Sequence, residues 1–236
     1  MIWLPRALTR VQLAPTHAAA VAAYQREAQP DLSAPACNLR LVVVDVETTG
    51  LRPYRDKLLA IGAVSMTGKL IRLHETFETT LRQAAPSTPE NILVHGIDGT
   101  TQISGVEPAA ALVQFLQFVR ADPLIAFHAD FDRVFVERAM RAALGITPSN
   151  IWLDLADLAP ALFPEHADGA QTLDHWMTIF EIDNPARHEA VADAVATAQL
   201  LQILLARAEQ SNAGGFAQLL ARAKEHRWLV QSLRNL

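Results

Sequence analysis

The chain has 236 residues, half of them hydrophobic and 19% charged, enough to bury a substantial core in one domain with appendages. A net charge of −5 argues against broad electrostatic capture of nucleic acid. A single cysteine, Cys37, rules out an intramolecular disulfide and any zinc-ligand spacing, so a reducing compartment, the cytoplasm, is expected. No apolar run approaches the roughly 18 residues of a membrane span, so no membrane association is expected.

In chain order, Met1 to Arg26 lacks acidic residues and carries Arg6, Arg10 and Arg26, a faint echo of a transit peptide. Its alanine-rich part fits better as an appendage helix from about His17 to Ala28. Pro30 to Pro35 breaks any helix and reads as a linker. These segments make residues 1–38 an N-terminal extension, followed by a main domain over 39–209 and a C-terminal helical tail over 210–236.

Leu41 to Val44, continuing through Val46, is an apolar β-branched run and predicts a buried strand. Leu58 to Met66 and Leu70 to Phe77 flank a short connection containing Gly68 and predict a β-hairpin. Beyond them come a helix near Glu107 to Arg120, a strand at Leu124 to Phe127, a helix at Phe131 to Leu144 and a strand at Ile151 to Leu155. No internal repeat is visible. The alternation predicts an α/β sandwich around a mixed sheet, antiparallel at the hairpin and parallel where helices cross over. After the helix-ending signal at Ser211 to Gly215, a basic helix is expected from Phe216 to Leu236, packing Leu219, Leu220 and Leu229 on the domain. Nucleic-acid contact or docking of a protein partner is the alternative use of that tail.

Asp45 and Glu47 stand two residues apart at the end of the first strand, which puts both carboxylates on one face and Val44 and Val46 on the other. Burying two like charges is costly unless a cation joins them, so the pair reads as half of a hard-oxygen metal site. An aspartyl-phosphate chemistry would want Asp in place of Glu47, and only Lys57, Lys69 and Lys224 are available to neutralise it. Asp130 and Asp132 open the next helix after a strand; Asp130 is placed to cap it, leaving Asp132 free. Further on, Asp193, Thr197, Leu200 and Leu204 fall within an arc of about 60° on a helix, so Asp193 points inward and needs a partner. A metal shared with the strand pair would supply it. His188 precedes that helix, where a histidine is ordinarily a solvated surface group.

Together, Asp45-x-Glu47-Thr-Thr-Gly50, Phe131-Asp132 and His188-x₄-Asp193-Ala-x-x-Thr197-Ala resemble the DEDDh branch of the DnaQ-like 3′–5′ exonucleases, which have an RNase H-like fold. Val94-His95-Gly96-Ile97 and the segment from Thr172 to Ile182 resemble secondary signatures of that family, and the likeness runs from about Leu39 to Arg207. It implies a five-stranded mixed sheet flanked by helices and two Mg²⁺ or Mn²⁺ ions. Asp45 would bridge them, Glu47 and Asp193 would hold the ion nearer the attacking water, and Asp132 would support the second. Two divalent ions would cancel four clustered carboxylates, which answers the objection raised by the acidic net charge.

The same resemblance makes His188 the proton acceptor and assigns the terminal 3′ hydroxyl to the backbone around Thr48 and Thr49. It places Leu51, His95, Ile97 and Phe131 against the last nucleotides, although Leu51, Ile97 and Phe131 also read as ordinary core residues. Relatives often carry Asn where His128 stands, which leaves His128 without an assigned role. DNA is favoured over RNA, because His95-Gly96-Ile97 is closer to polymerase-associated proofreading subunits, whose partner is a polymerase, than to short-RNA nucleases. A non-catalytic module of the same fold is the rival from another class, and it would be expected to have lost at least one of the five residues.

Overall fold

The computed structural model describes residues 11–167, 172–211 and 213–234. Part of the basic N-terminal stretch, Asn212 of the helix-ending signal and the last two residues of the basic tail lie outside the described residues. The first helix, α1 (Pro15–Tyr24), starts on Pro15 and stops four residues short of Ala28. Chain reversal begins at Gln25, and the Glu27 carboxylate then accepts the Ala121 N–H at 2.9 Å.

Strand β1 (Arg40–Thr48) is the middle of a five-stranded sheet with β2 (Leu58–Thr67) and β3 (Leu70–Thr80) on one side. The β1–β2 and β2–β3 pairs are antiparallel. The hairpin turn places Gly68 and Lys69 at φ 60° and 64°, the left-handed pair that matches strand twist in a two-residue turn. Two short helices follow, α2 (Pro89–His95) and α3 (Gly99–Ser104), capped by Thr88 and Asp98; the sequence reading left this region without elements.

Helix α4 (Pro108–Val119) leads to β4 (Leu124–Ala126), then α5 (Ala129–Leu144), β5 (Trp152–Asp154) and α6 (Leu155–Leu162). Strands β1, β4 and β5 run parallel, so the sheet order is β3-β2-β1-β4-β5, the mixed sheet that the alternation predicts. Helices α7 (Leu173–Ile179), α8 (Ala190–Gln210) and α9 (Phe216–Arg234) complete the chain.

The sheet separates two apolar clusters. Val42, Val44 and Val46 face α1, α4 and α5, whereas Leu41 and Val43 face α6, α8 and α9. Strand periodicity therefore puts Asp45 and Glu47 on the α8 side. Asp193, Thr197, Leu200 and Leu204 are all buried, as the helical arc predicts. By length and composition α8 is apolar enough to reach across a bilayer, contrary to the run-length reading; its alanines raise the mean hydropathy to 1.3, and its buried face is the core of the domain.

Both extensions pack on the main domain. Tyr24 of α1 donates to Asn150 Oδ1 at 2.7 Å and accepts from Ser149 N at 2.8 Å. Residues before β1 bond to the start of α9, through Ala36 N to Gly214 O at 2.8 Å and Ala217 N to Leu32 O at 2.9 Å. Leu219 is fully buried and Leu220 partly so, but Leu229 is 52% exposed, against expectation. The helix runs past the body it packs on, and Trp228 and Leu233 are exposed with Leu229.

Candidate active site

The carboxylates of Asp45, Glu47 and Asp193 come together with one ligand oxygen from each lying within 4.8 Å of the others. Two features of the local fold produce this. The strand supplies the first two side chains from one face. Gly62 on β2, directly opposite Asp45 in register, lets the N-terminal end of α8 rest on the sheet backbone. A Cβ on Gly62 would lie 2.1 Å from the Ala190 carbonyl carbon, so no larger residue permits this approach. The sequence reading missed Gly62; a glycine inside an apolar strand was the available signal.

Electrostatics mark the site as short of positive charge. Burial, then the Asp193 carboxylate, pushes Asp45 up to about 8, with the Arg187 guanidinium offsetting part of the rise. Burial, then Asp45 and Asp193, brings Glu47 to about 8 as well. Asp132 is buried in the first turn of α5. Burial, and next the Asp45 charge, drive it well above the usual carboxylate range, against hydrogen bonds from its own backbone and from Val46 N–H. Asp132 is thus coupled electrostatically to Asp45.

Asp193 is held by Asn184 and Arg187, which the sequence reading did not single out, and by the backbone of His188, which it did. Its Oδ1 accepts from Asn184 Nδ2 at 2.6 Å and pairs with Arg187, and its Oδ2 accepts the His188 N–H at 3.2 Å. Arg187 also reaches Asp174 at 2.8 Å. His188 lies in the turn before α8 at φ 67°, with its side chain exposed, and lines a groove of about 470 Å³ together with Glu47, His95 and Ile97.

The other expected residues are placed as follows. Thr49 spends its N–H on Lys57 O and its carbonyl on Asn91 Nδ2, while Thr48 Oγ1 donates to Gly50 O at 2.8 Å. Leu51 is 82% exposed at the start of the β1–β2 connection, so the core reading of Leu51 is wrong. Ile97 and Phe131 are partly buried, and Phe131 packs on Phe135 with ring centroids 4.8 Å apart. His95 is almost wholly buried: Nδ1 accepts from Ile97 N at 3.0 Å, which leaves the proton on Nε2 facing Ser87 Oγ at 3.1 Å. Burial holds its pKa below the ordinary histidine value.

Asp130 does not cap α5. The chain enters the helix at Ala129, the cap position is His128 at φ 64°, and Asp154 Oδ1 accepts the His128 N–H at 2.9 Å. Histidine, like asparagine, is enriched in this left-handed conformation, which gives the position a backbone reason for either residue. Asp130 is instead exposed and paired with Arg133 and Arg227.

The mixed five-stranded sheet flanked by helices is an RNase H-like fold, and the converging carboxylates of Asp45, Glu47 and Asp193 offer hard oxygen donors of the kind that suit a divalent cation. The model for the exonuclease family matches residues 42–201, more than half of the chain, and the chain belongs to that family, the DnaQ-like 3′–5′ exonucleases. It is 30% identical over 203 residues to a DNA polymerase III subunit epsilon-like protein of Rhodobacter capsulatus, covering 84% of this chain and 28% of that one. It is 31% identical over 169 residues to the PolC-type DNA polymerase III of Caldanaerobacter subterraneus subsp. tengcongensis, covering 72% and 12%. Among solved structures, E. coli Exonuclease I in complex with a dT13 oligonucleotide has the same fold, with a TM-score of 0.63 at 21% identity over 73% of this chain and 42% of that one. The chain thus spans less than half the length of each of these proteins.

Proposed function

We propose that the chain removes nucleotides from the 3′ end of nucleic acid, single-stranded DNA in preference to RNA, releasing nucleoside 5′-monophosphates. The observation that carries this reading is the convergence of Asp45, Glu47 and Asp193, with Asp132 coupled to Asp45. Asp45, Glu47, Asp132 and Asp193 would hold two Mg²⁺ or Mn²⁺ ions. Such a pair activates water on one side of the scissile phosphate and stabilises the leaving 3′ oxygen on the other.

The protein's own groups do the rest. The Asp45 charge acts on both Glu47 and Asp132, which supports Asp45 as the ligand that the two ions would share. The His188 backbone N–H is tied to Asp193, and its exposed side chain lines the groove that Glu47 also lines, where it would take the proton of the attacking water. The backbone around Thr48 and Thr49 is the group we assign to the terminal 3′ hydroxyl, with the Thr49 N–H and carbonyl already bonded to Lys57 and Asn91. Leu51, exposed at one side, and Ile97 and Phe131 would pack against the last bases. His95 acts by fixing Ile97 through its Nδ1.

The preference for DNA rests on the polymerase-associated relatives. A polymerase subunit is correspondingly the protein partner we propose for the exposed end of α9, around Trp228, Leu229 and Leu233. The decisive experiment digests matched DNA and RNA oligonucleotides side by side with Mg²⁺ or Mn²⁺ and identifies the products. Mononucleotides from DNA 3′ ends, abolished by EDTA, are expected. Faster digestion of RNA would replace DNA as the substrate, and no metal-dependent hydrolysis of either would favour the non-catalytic reading.

A further inference from the structure

We infer that Arg227, on the C-terminal helix α9 and outside the span matched by the exonuclease family, is a positioning residue for Asp132. It acts through Asp154, which sets the turn from which α5 starts. The inference rests on the reading of Asp132 as a metal ligand.

Arg227 spreads its guanidinium over three carboxylates: Nε meets Asp157 at 2.5 Å, Nη1 meets Asp130 at 2.8 Å and Nη2 meets Asp154 at 3.1 Å. The planar fork of arginine suits such divided contacts; an ammonium offers a single point of charge. Asp154 is the partner that matters. Its side chain is only 10% exposed, and its two oxygens have separate duties. Oδ2 faces Arg227, while Oδ1 accepts from His128 N at 2.9 Å and Ala156 N at 3.0 Å.

The first of those Oδ1 bonds crosses from the end of β5 to the end of β4. His128 holds a left-handed backbone conformation, which is strained for a non-glycine residue and persists only where neighbours enforce it. The bond from Asp154 is such an enforcement. Four residues on, Asp132 leaves the first turn of the helix that His128 opens, so rotation of the Asp154 carboxylate would move the start of α5 and Asp132 with it. A chain with Asp154 but no Arg227 keeps the acceptor and its bond from Ala156 N and loses the group that holds Oδ2.

Charge and geometry predict opposite signs for the loss of Arg227. Removing a cation beside this acidic region would strengthen attraction for a divalent ion, whereas releasing Asp132 from its position would weaken the site. The test is Mn²⁺ binding to the full chain by titration calorimetry, below the melting temperature, for the wild type, R227A, R227K, D154A and the R227A/D154A double variant. We expect R227A to weaken the affinity by about 10- to 100-fold, the usual consequence of losing a group that orients a ligand. R227K should fall between R227A and wild type, and if R227A does not fold, R227K carries the comparison. The double variant should bind no more weakly than D154A alone, because both changes break one chain of contacts.

Unchanged or tighter Mn²⁺ binding in R227A, or additive losses in the double variant, would overturn the inference. A wild type that binds no Mn²⁺, or a D132N variant that binds it as well as wild type, would instead sink the reading of the site itself.

Discussion

Gly62 is the residue whose replacement tests the site most directly without touching any proposed ligand. In Gly62→Ala the new Cβ would sit 2.1 Å from Ala190 C and 2.3 Å from Val191 N, against the 3.4 Å at which ordinary contact begins. The neighbours are backbone and cannot rotate away, so the first turn of α8 must retreat by about 1.3 Å. Asp193 lies in that turn and would withdraw from Asp45 and Glu47 by a similar amount. A misplacement of about 1 Å can cost about 10²-fold in rate, and overpacking of this kind costs about 1–3 kcal/mol of stability, which a domain of this size survives. Gly62→Ala should therefore remain folded by circular dichroism while single-turnover release of the 3′ nucleotide slows by about 10²-fold or more. A folded variant with the wild-type rate would show that the approach of α8 to β2 does not set the position of Asp193, and the geometric account of the site would fail.

Asp193→Asn should abolish metal-dependent hydrolysis while leaving the hydrogen bond from His188 N in place, and undiminished activity would remove Asp193 from the metal site. His188→Ala should lower kcat by about 10²- to 10⁴-fold with added imidazole restoring part of the rate, and a pH–rate profile identical to wild type would exclude it as the base. With EDTA present, stability should depend on pH in the direction opposite to most acidic groups. Asp45 and Glu47 sit at about 8 in the folded chain against ordinary values of 3.8 and 4.5, so between those limits the folded state keeps protons that the unfolded chain has released. Stability then falls as pH rises through that window, and the melting temperature should drop from about pH 5.5 to about pH 8. Saturating Mg²⁺ or Mn²⁺ should remove the drop, because ligation replaces the protons; a rise in melting temperature over the same window in EDTA would contradict the assignment.

The strand pair and Asp193 were legible in the sequence because two periodicities, two residues on a strand and 3.6 on a helix, point all three carboxylates at one another. Asp132 and His188 were legible only through family resemblance. Asp132 depends on where a helix begins, and here the start is set by a carboxylate from another strand; His188 depends on a turn in a left-handed conformation that composition does not announce. Asp130 shows the same limit from the other side. Its chemistry suits a cap, but the cap position falls on His128, whose N–H bonds to Asp154, 26 residues from it along the chain. Leu51 reads as core by hydropathy and is 82% exposed, because it falls in the connection between β1 and β2 and not on either strand.

The placement of arginines explains how so acidic a centre is compatible with a folded domain. Arg187 neutralises Asp193 and lowers the cost of charging Asp45 and Glu47, while Arg227 serves Asp154, Asp130 and Asp157 on the far side of Asp132. Neither arginine pairs with Asp45, Glu47 or Asp132, whose pKa values burial and mutual repulsion raise. The residual deficit of positive charge is thus concentrated on Asp45, Glu47 and Asp132. A divalent ion bound there gains from relieving repulsion that the fold already sustains, and the same ion gives a phosphodiester a positive point of contact on a protein whose net charge would otherwise repel it. On this account the salt sensitivity of DNA binding should be shallow, with few phosphates neutralised by lysine or arginine, and dependence on metal should be steep. Binding of a DNA 3′ end in EDTA that is tight at low salt and collapses as salt rises would point instead to a basic track and would break the argument.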